Sequence, residues 1–129
     1  IHMGSIGTGQ ATKVCNQVMV FNTIVTMAEM LKLAEESGLP SKELSTIFAG
    51  GFANSRILEV FGEKMASRDE TVTGKLKVAK KDLDLILSLG EETNTSLPMS
   101  DTAARMIRLA IEKGLGEADI TQFIQLYDN

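Results

Sequence analysis

Apolar residues recur every three or four positions along most of this chain, which is the spacing of one face of an α-helix. The first such segment is also the longest. Residues 10–36 have apolar side chains at Val14, Val18, Phe21, Val25, Ala28, Leu31 and Ala34. Gly38 and Pro40 follow, in the order expected for the glycine and the proline that end a helix. The pattern therefore predicts one long helix near the start of the chain.

Five shorter helices are predicted after the long one. Ser41 is placed to cap the first of them, Pro98 fits the first turn of another, and Asp119 is placed to cap the last. The predicted helices cover residues 41–50, 55–65, 75–93, 98–113 and 119–127, with a polar loop at 67–74. Because no long stretch has the alternation of a strand, we predict an all-α bundle of about six helices with one long first helix.

Composition narrows the class of protein. The 129 residues fit one domain, 43% of them are hydrophobic, and the formal net charge is −4. An acidic chain lacks the basic stripe of a nucleic-acid binder, and no apolar run approaches the roughly 20 residues of a membrane span. We therefore expect neither nucleic acid nor a membrane as a partner, and we find no signal peptide.

The chain contains one cysteine and one histidine. Cys15 excludes an internal disulfide and suits a reducing compartment, so we expect a cytoplasmic protein. A reactive thiol is conceivable because Lys13 is close in sequence, but burial of Cys15 as a small packing residue is the favoured interpretation. We interpret Ile1, His2 and Met3 as residues left by cloning, which removes histidine-based triads and metal sites from the native part.

The candidate chemistry lies at the beginning of the chain. Glycines at positions 4, 7 and 9 precede the long helix and predict a flexible loop that leads to a helix N-terminus. Free N–H groups and the helix dipole make such a place attractive to an anion. Lys13 and Asn16 are three positions apart on one helical face, so both can act on the same small molecule. A solvated lysine behind a frayed chain end is the alternative interpretation.

Two phosphate-binding motifs are excluded. The dinucleotide fingerprint has the order G-x-G-x-x-G after a strand, whereas the glycines here have the order G-x-x-G-x-G. A P-loop requires Lys and then Ser or Thr directly after its last glycine, and Gln10 and Ala11 occupy those positions. The glycines therefore indicate neither type of nucleotide site.

Four segments, taken in order, resemble the C-terminal domain of the β-hydroxyacid dehydrogenases, the family of 3-hydroxyisobutyrate dehydrogenase and tartronate semialdehyde reductase. The resemblance extends from Gly4 to about Tyr127. The segments are Gly4-x-x-Gly7-x-Gly9-x-x-x-Lys13-x-x-Asn16, the helix continuation at 28–35, Lys81-Asp82-Leu83, and Gly114-x-Gly116-x-x-Asp119-x-Thr121.

The resemblance implies NAD(P)-dependent oxidation of a small 3-hydroxy acid to its semialdehyde or keto acid, or the reverse reduction. It makes Lys13 the catalytic lysine, Asn16 a substrate-holding residue and Lys81 the lysine that approaches the cofactor. Gly7 and Gly9 would let the backbone come close to a substrate carboxylate because they have no side chain. The amine of Lys13 would accept the hydroxyl proton in oxidation and return it in reduction.

The resemblance also implies that this chain is half of an enzyme. Residues 4–129 would form the C-terminal helical domain, and an N-terminal domain that is absent from the chain would bind most of the NAD or NADP. We expect closure of that domain over Lys13 to desolvate the amine, and we expect the isolated chain to be inactive. The expected partners are the 3-hydroxy acid or semialdehyde, the dinucleotide-binding domain and further copies in a homo-oligomer.

Three positions depart from the family pattern. Gln17 stands where the family often has a second asparagine, Gly74 lies where an aromatic residue is common, and Thr121 replaces a serine. They leave the lysine assignment unchanged and bear on the identity of the substrate. We interpret Asp82 as half of a surface ion pair with a neighbouring lysine, rather than as a residue that orients Lys81.

Two other classes of function remain open. A non-catalytic helical interaction or dimerisation module could keep the same fold, and Lys13 would then be dispensable. An independent small-ligand binder would depend on the glycine segment alone. The pair Lys13 and Asn16 favours the enzyme over the module, because an interaction module has no need of these residues.

Overall fold

The computed structural model describes residues 4–128, and within this range the chain is built from helices. They are α1 (Gly4–Glu36), a 3₁₀ turn (Ser41–Glu43) that continues into α2 (Leu44–Ile47), α3 (Arg56–Ala66), α4 (Leu76–Thr93), α5 (Pro98–Ala110), a π-helical turn (Ile111–Leu115) and a final 3₁₀ helix (Ile120–Tyr127). In residues 4–128, extended pairing is limited to one isolated antiparallel bridge between Lys75 and Asp119. The predicted all-α bundle with a long first helix is confirmed. The interpretation of Ile1, His2 and Met3 as cloning residues concerns positions outside the described range.

The glycine segment before Lys13 is helical, so the predicted loop is wrong. α1 begins at Gly4 and continues through Gly7 and Gly9 without a break. Each residue added to an existing helix gains a hydrogen bond, which offsets the cost of about 1 kcal/mol that each glycine carries relative to alanine. The free N–H groups of the helix N-terminus therefore lie at Gly4 rather than beside Lys13, and the anion argument does not apply at that lysine.

The C-terminal end of α1 has the predicted glycine stop. Gly38 adopts a φ of +80°, which a residue without a side chain tolerates, and the N–H of Leu39 donates to the carbonyl of Ala34 at 2.9 Å. Ser41 is not the predicted helix cap. Its hydroxyl donates to Glu35 at 3.2 Å, so the side chain is oriented toward α1. The predicted second helix is correspondingly short and begins as a 3₁₀ turn.

The core is formed where one face of α1 meets α3, α4, α5 and the final 3₁₀ helix. Its fully buried side chains come from every one of these elements: Leu31, Met65, Leu76, Leu83, Ile86, Ile107, Phe123 and Ile124. Burial of each large apolar side chain contributes roughly 1.5–3 kcal/mol. This packing fixes α1 and α4 side by side, and the candidate site lies between these two helices.

α1 is also long and apolar enough, between Gly9 and Glu36, to cross a membrane by length and composition alone. Within the bundle the same helix buries Phe21, Ile24 and Leu31. A core helix passes the same length and composition test. Packing in the bundle therefore accounts for part of the apolar character of α1, whereas Met19 and Leu33 on the same helix are exposed.

A buried carboxylate joins the loop before α4 to the final helix. Asp119 is fully buried and accepts hydrogen bonds from the backbone N–H groups of Thr73, Gly74 and Thr121 at 2.7, 3.0 and 3.1 Å. The hydroxyls of Thr73 and Thr121 donate to it as well, and the ammonium of Lys64 lies 3.3 Å away. Burial opposes ionisation, but these hydrogen bonds outweigh it and hold the pKa of Asp119 well below its usual range. The predicted cap at Asp119 is therefore confirmed, on a 3₁₀ helix.

A second polar cluster holds the end of α1 to the C-terminal residues. Arg68 donates to Glu35 at 2.6 and 2.9 Å and to Asp128 at 2.8 and 3.1 Å. These bonds raise the pKa of the guanidinium and lower the pKa of both carboxyl groups. Arg68 has a φ of +57°, a left-handed conformation that is uncommon for a residue with a side chain. The four hydrogen bonds account for its persistence.

Substitution of Asp119 should make stability depend on pH in a defined way. We expect Asp119→Asn to lower the free energy of unfolding by about 2–4 kcal/mol near pH 7, because the buried N–H groups lose a charged acceptor. The folded pKa lies below the ordinary value of 3.8, so this contribution is present above that pH and is lost as the pH falls through the folded pKa. Urea unfolding of both proteins from about pH 7 to about pH 2 measures the difference.

The matched control is Asp84→Asn, which removes an acid whose ion pair with Lys80 is half-exposed. We expect it to change stability by less than about 0.5 kcal/mol at any pH. A difference between wild type and Asp119→Asn that stayed constant down to about pH 2 would contradict the assigned role of Asp119.

Candidate functional site

A groove of about 370 Å³ lies between α1 and α4. We refer to it as the α1–α4 groove. Its residues come from the N-terminal half of α1 and from one face of α4: Gly7, Gln10, Ala11, Lys13, Val14, Gln17, Asp82, Leu85, Ser88, Leu89 and Glu92. Among the described residues that line the groove, Lys13 is the one cation, and its side chain is exposed. The predicted catalytic lysine thus lies on the wall of a cleft large enough for a small acid.

The α4 wall is built from residues spaced three or four apart. Asp82, Leu85, Leu89 and Glu92 follow at intervals of three, four and three, which places all four on one helical face. The opposite face of α4 carries Leu83, which is fully buried in the core. Core packing on one side of α4 therefore directs the other side to the groove.

Two hydrogen bonds connect Asn16 to the α4 wall through Gln17. The amide nitrogen of Gln17 donates to Asp82 at 3.3 Å, across the groove from α1 to α4. The amide nitrogen of Asn16 donates to the side-chain oxygen of Gln17, also at 3.3 Å. Gln17 and Asp82 are half-buried, and Asn16 is exposed. The two amides and the carboxylate form one chain of contacts beside Lys13.

Of the five site residues predicted from the sequence, two line the α1–α4 groove and three do not. Gly7 and Lys13 line the α1–α4 groove. Asn16 is attached to the groove through Gln17. Gly9 is exposed, and a side chain at that position would meet nothing within 4 Å. Lys81 is exposed on α4, beside the groove residue Asp82.

Asp82 has a different partner from the one that its sequence context suggested. Its carboxylate accepts from Gln17 on another helix, whereas Lys80 pairs with Asp84 at 2.8 Å. The lysine neighbours of Asp82 point elsewhere because successive helical residues are about 100° apart. The interpretation of Asp82 as half of a surface ion pair with a neighbouring lysine is therefore wrong.

Sequence reasoning missed most of the α4 wall and the role of Gln17. The spacing of Asp82, Leu85, Leu89 and Glu92 was visible, since exposed apolar residues on the polar side of a helix indicate a surface that contacts something. Leu85 is 59% exposed. The contact between Gln17 and Asp82 had no signal in the sequence, because the two residues are on different helices.

The ionisable residues of the groove are one lysine and two acids, Lys13, Asp82 and Glu92. Within the described part of the chain, no group of three or more His, Cys, Asp or Glu side chains could hold a metal ion. The chemistry that these side chains offer is hydrogen bonding and proton transfer by an amine.

Comparison with known proteins shows which family the chain belongs to. The model of the family described as "NAD-binding of NADP-dependent 3-hydroxyisobutyrate dehydrogenase" matches residues 7–127. The chain belongs to this 3-hydroxyisobutyrate dehydrogenase family. The resemblance found in the sequence is therefore confirmed, and so is NAD or NADP as the cofactor of the family.

Several relatives in the family are similar over almost all of this chain. The 2-hydroxy-3-oxopropionate reductase of Escherichia coli is 32% identical over 123 residues, which are 95% of this chain and 42% of that protein. The 2-(hydroxymethyl)glutarate dehydrogenase of Eubacterium barkeri is 28% identical over 98% of this chain and 42% of its own length. A crystal structure of 3-hydroxyisobutyrate dehydrogenase from Salmonella typhimurium superposes with a TM-score of 0.87 at 25% identity, over 93% of this chain and 42% of that one.

The chain thus spans less than half the length of these family members. The part that it matches contains α1, α4 and the groove between them.

Cys15, which is within the matched segment, is exposed rather than buried as expected. Val14, Val18 and Phe21 form the side of α1 that faces the bundle, and Cys15 lies about 100° around the helix from Val14. The thiol therefore faces away from the core.

The exposed thiol should be readily modified. We expect Cys15 to react with a thiol reagent such as dithionitrobenzoate at a rate within about tenfold of the rate in denaturant, because the fold does not shield it. The chain has one cysteine, so no other thiol contributes to the signal. A native rate slower by more than about 100-fold would mean that the thiol is buried after all.

Proposed function

We propose that this chain is the C-terminal, substrate-side domain of an NAD(P)-dependent 3-hydroxyacid dehydrogenase, and that Lys13 is its catalytic acid–base. The observation that carries the proposal is the position of Lys13. The family match extends across this residue, and its side chain lines the α1–α4 groove. An amine on the wall of a cleft of about 370 Å³ suits proton transfer to and from a small acid.

The rest of the enzyme would be a separate dinucleotide-binding domain. The length of the matched relatives supports this, because the chain covers 42% of them. Residues 4–128 contain no strand followed by a glycine-rich turn, the arrangement that binds a dinucleotide pyrophosphate. The contribution of this chain to cofactor binding would be Lys81, whose exposed ammonium on α4 suits the negative charge of NAD or NADP.

Each groove residue has a separate role in the proposed reaction. A nicotinamide cofactor, contacted by Lys81 of this chain, would supply the hydride acceptor for the carbon that carries the hydroxyl. Lys13 Nζ accepts the proton of that hydroxyl in oxidation and returns it in reduction. Asn16 holds the hydroxyl oxygen, and Gly7 leaves space in the groove for the carboxylate of the substrate. Lys13 is exposed in this chain, so closure of the second domain would provide the exclusion of water that the transfer needs.

A non-catalytic helical module that associates with a second copy is the second candidate. It is favoured by exposed apolar side chains around another cleft, of about 320 Å³, whose lining includes Met19, Met30 and Phe48. Met19 is 69% exposed, and nearby Phe52 is fully exposed. Such surfaces are typical of sites that contact another protein. A homo-oligomer is compatible with both candidates, and the effect of substituting Lys13 separates them.

Removal of the Lys13 amine should abolish most of the turnover of the full-length enzyme. We expect Lys13→Ala to lower kcat by on the order of 10²–10⁴-fold, because the hydroxyl proton loses its acceptor. Lys13→Arg should lose a comparable factor, since a guanidinium keeps the charge but does not give up its proton. Steady-state rates of cofactor reduction with a 3-hydroxy acid measure both effects.

The control is Lys42→Ala. Lys42 is exposed in the 3₁₀ turn after α1, a helix about 50 Å long, and therefore lies at the opposite end of the molecule from Lys13. We expect wild-type rates from this variant. If Lys13→Ala kept most of its turnover, the enzyme proposal would be wrong and the interaction module would be favoured.

The isolated chain should have no dehydrogenase activity. We expect no detectable reduction of NAD or NADP by this 129-residue chain with any 3-hydroxy acid, and only weak cofactor binding by calorimetry, because the dinucleotide site lies in the other domain. The full-length enzyme, assayed in parallel, is the positive control. Turnover by the isolated chain at a rate near that of the whole enzyme would contradict the proposed division into domains.

A further inference from the structure

The side chains of Asn16, Gln17 and Asp82 form a chain of hydrogen bonds with a fixed direction. Asp82 as a carboxylate can only accept, so the group of Gln17 that faces it is the amide nitrogen, at 3.3 Å. The planar amide then turns its oxygen to the other side, where it accepts from the nitrogen of Asn16 at 3.3 Å. Asn16 has thereby used one of its N–H groups on Gln17.

The direction of this chain decides what Asn16 offers to a ligand. With one N–H engaged by Gln17, the nitrogen of the Asn16 amide keeps a second N–H that can be donated to a ligand. This N–H suits the oxygen of a substrate hydroxyl, whose own proton is then left for Lys13. Reversal of the Gln17 amide would place its oxygen against the carboxylate of Asp82, which is repulsive.

The anchor of the chain is on a different helix from the residues it orients. Gln17 and Asn16 belong to α1, whereas Asp82 belongs to α4 and is held there by the core packing of Leu83 and Ile86. Asp82 and Gln17 are half-buried, so the bond between them is partly shielded from water. Asn16 is exposed, and its hydrogen bond to Gln17 connects it to this shielded pair.

We propose that Asp82 is a positioning residue of the substrate site, which acts through Gln17 to fix the amide of Asn16 with its second N–H available to the oxygen of the substrate hydroxyl. The inference rests on the proposed function, because it assigns the orientation of a residue in that same site. It also gives Gln17 a role that depends on its length. The side chain has one methylene more than the asparagine that the family often has at this position, and this reach lets it meet Asp82 across the groove.

A double-mutant cycle in the full-length enzyme tests the route of the effect. We expect Asp82→Ala to raise KM for the hydroxy acid about 3- to 10-fold, with a smaller change in kcat, because one orienting hydrogen bond is lost. The double variant Gln17→Ala/Asp82→Ala should be no worse than Gln17→Ala alone. Asp82→Asn should recover most of the lost affinity, since its amide oxygen still accepts from Gln17. Asp84→Ala, which removes an α4 acid outside the groove, should match wild type.

Two kinetic outcomes would overturn the inference. Additive effects of Gln17→Ala and Asp82→Ala would mean that Asp82 acts on the substrate without Gln17. A loss in Asp82→Asn as large as in Asp82→Ala would mean that the negative charge is what matters, and not the accepted hydrogen bond.

A measurement without turnover separates this inference from the proposed function. In this 129-residue chain, we expect Asp82→Ala to shift the side-chain amide NMR signals of both Gln17 and Asn16, while the signals of Asn22 on the same helix stay in place. A shift confined to Gln17 would overturn the relay to Asn16. If Lys13→Ala retained turnover, the proposed function would fail, but these spectra would still decide whether Asp82 orients the two amides.

Discussion

The side chains of Phe21, Ala28 and Leu31 on α1 are removed from water by α3, α4, α5 and the final 3₁₀ helix, and the rest of the molecule is arranged around that burial. Because one face of α1 must face the core, its remaining faces are set by the helical period alone. Lys13 and Gln17 thereby face the groove, and Cys15 faces solvent. The orientation of the candidate site follows from the packing of residues one or more turns further along the same helix.

α4 is subject to the same constraint from the other side. Leu83 and Ile86 are buried in the core, so Asp82, Leu85 and Leu89 must line the α1–α4 groove. The groove is therefore a consequence of two helices packed side by side, and the core behind α4 makes that wall rigid. This rigidity is what a site for positioning a small substrate requires.

The polar contacts outside the groove hold the ends of the bundle rather than contributing to the site. Asp119 accepts hydrogen bonds from the backbone of the loop before α4, and Arg68 joins the end of α1 to Asp128. Both networks are remote in sequence from Lys13. Their effect on function passes through the position of α4 and the far end of α1. The chain belongs to a dehydrogenase family and spans 42% of the length of one relative in it.

The sequence by itself determined the helices, the family and the residues whose side chains could bind or react with a ligand. The apolar period located α1, α3, α4 and α5 because each helix buries one stripe, and Gly38 and Asp119 marked ends because glycine and a capping acid act locally. The extent of α1 through Gly7 and Gly9 was not visible, since local glycine preference competes with helix propagation. Only the tertiary structure decided that Asp82 meets Gln17 and that Asn16 is reached through it. Those contacts join side chains on two helices, and their distance depends on how the helices pack, which no local pattern encodes.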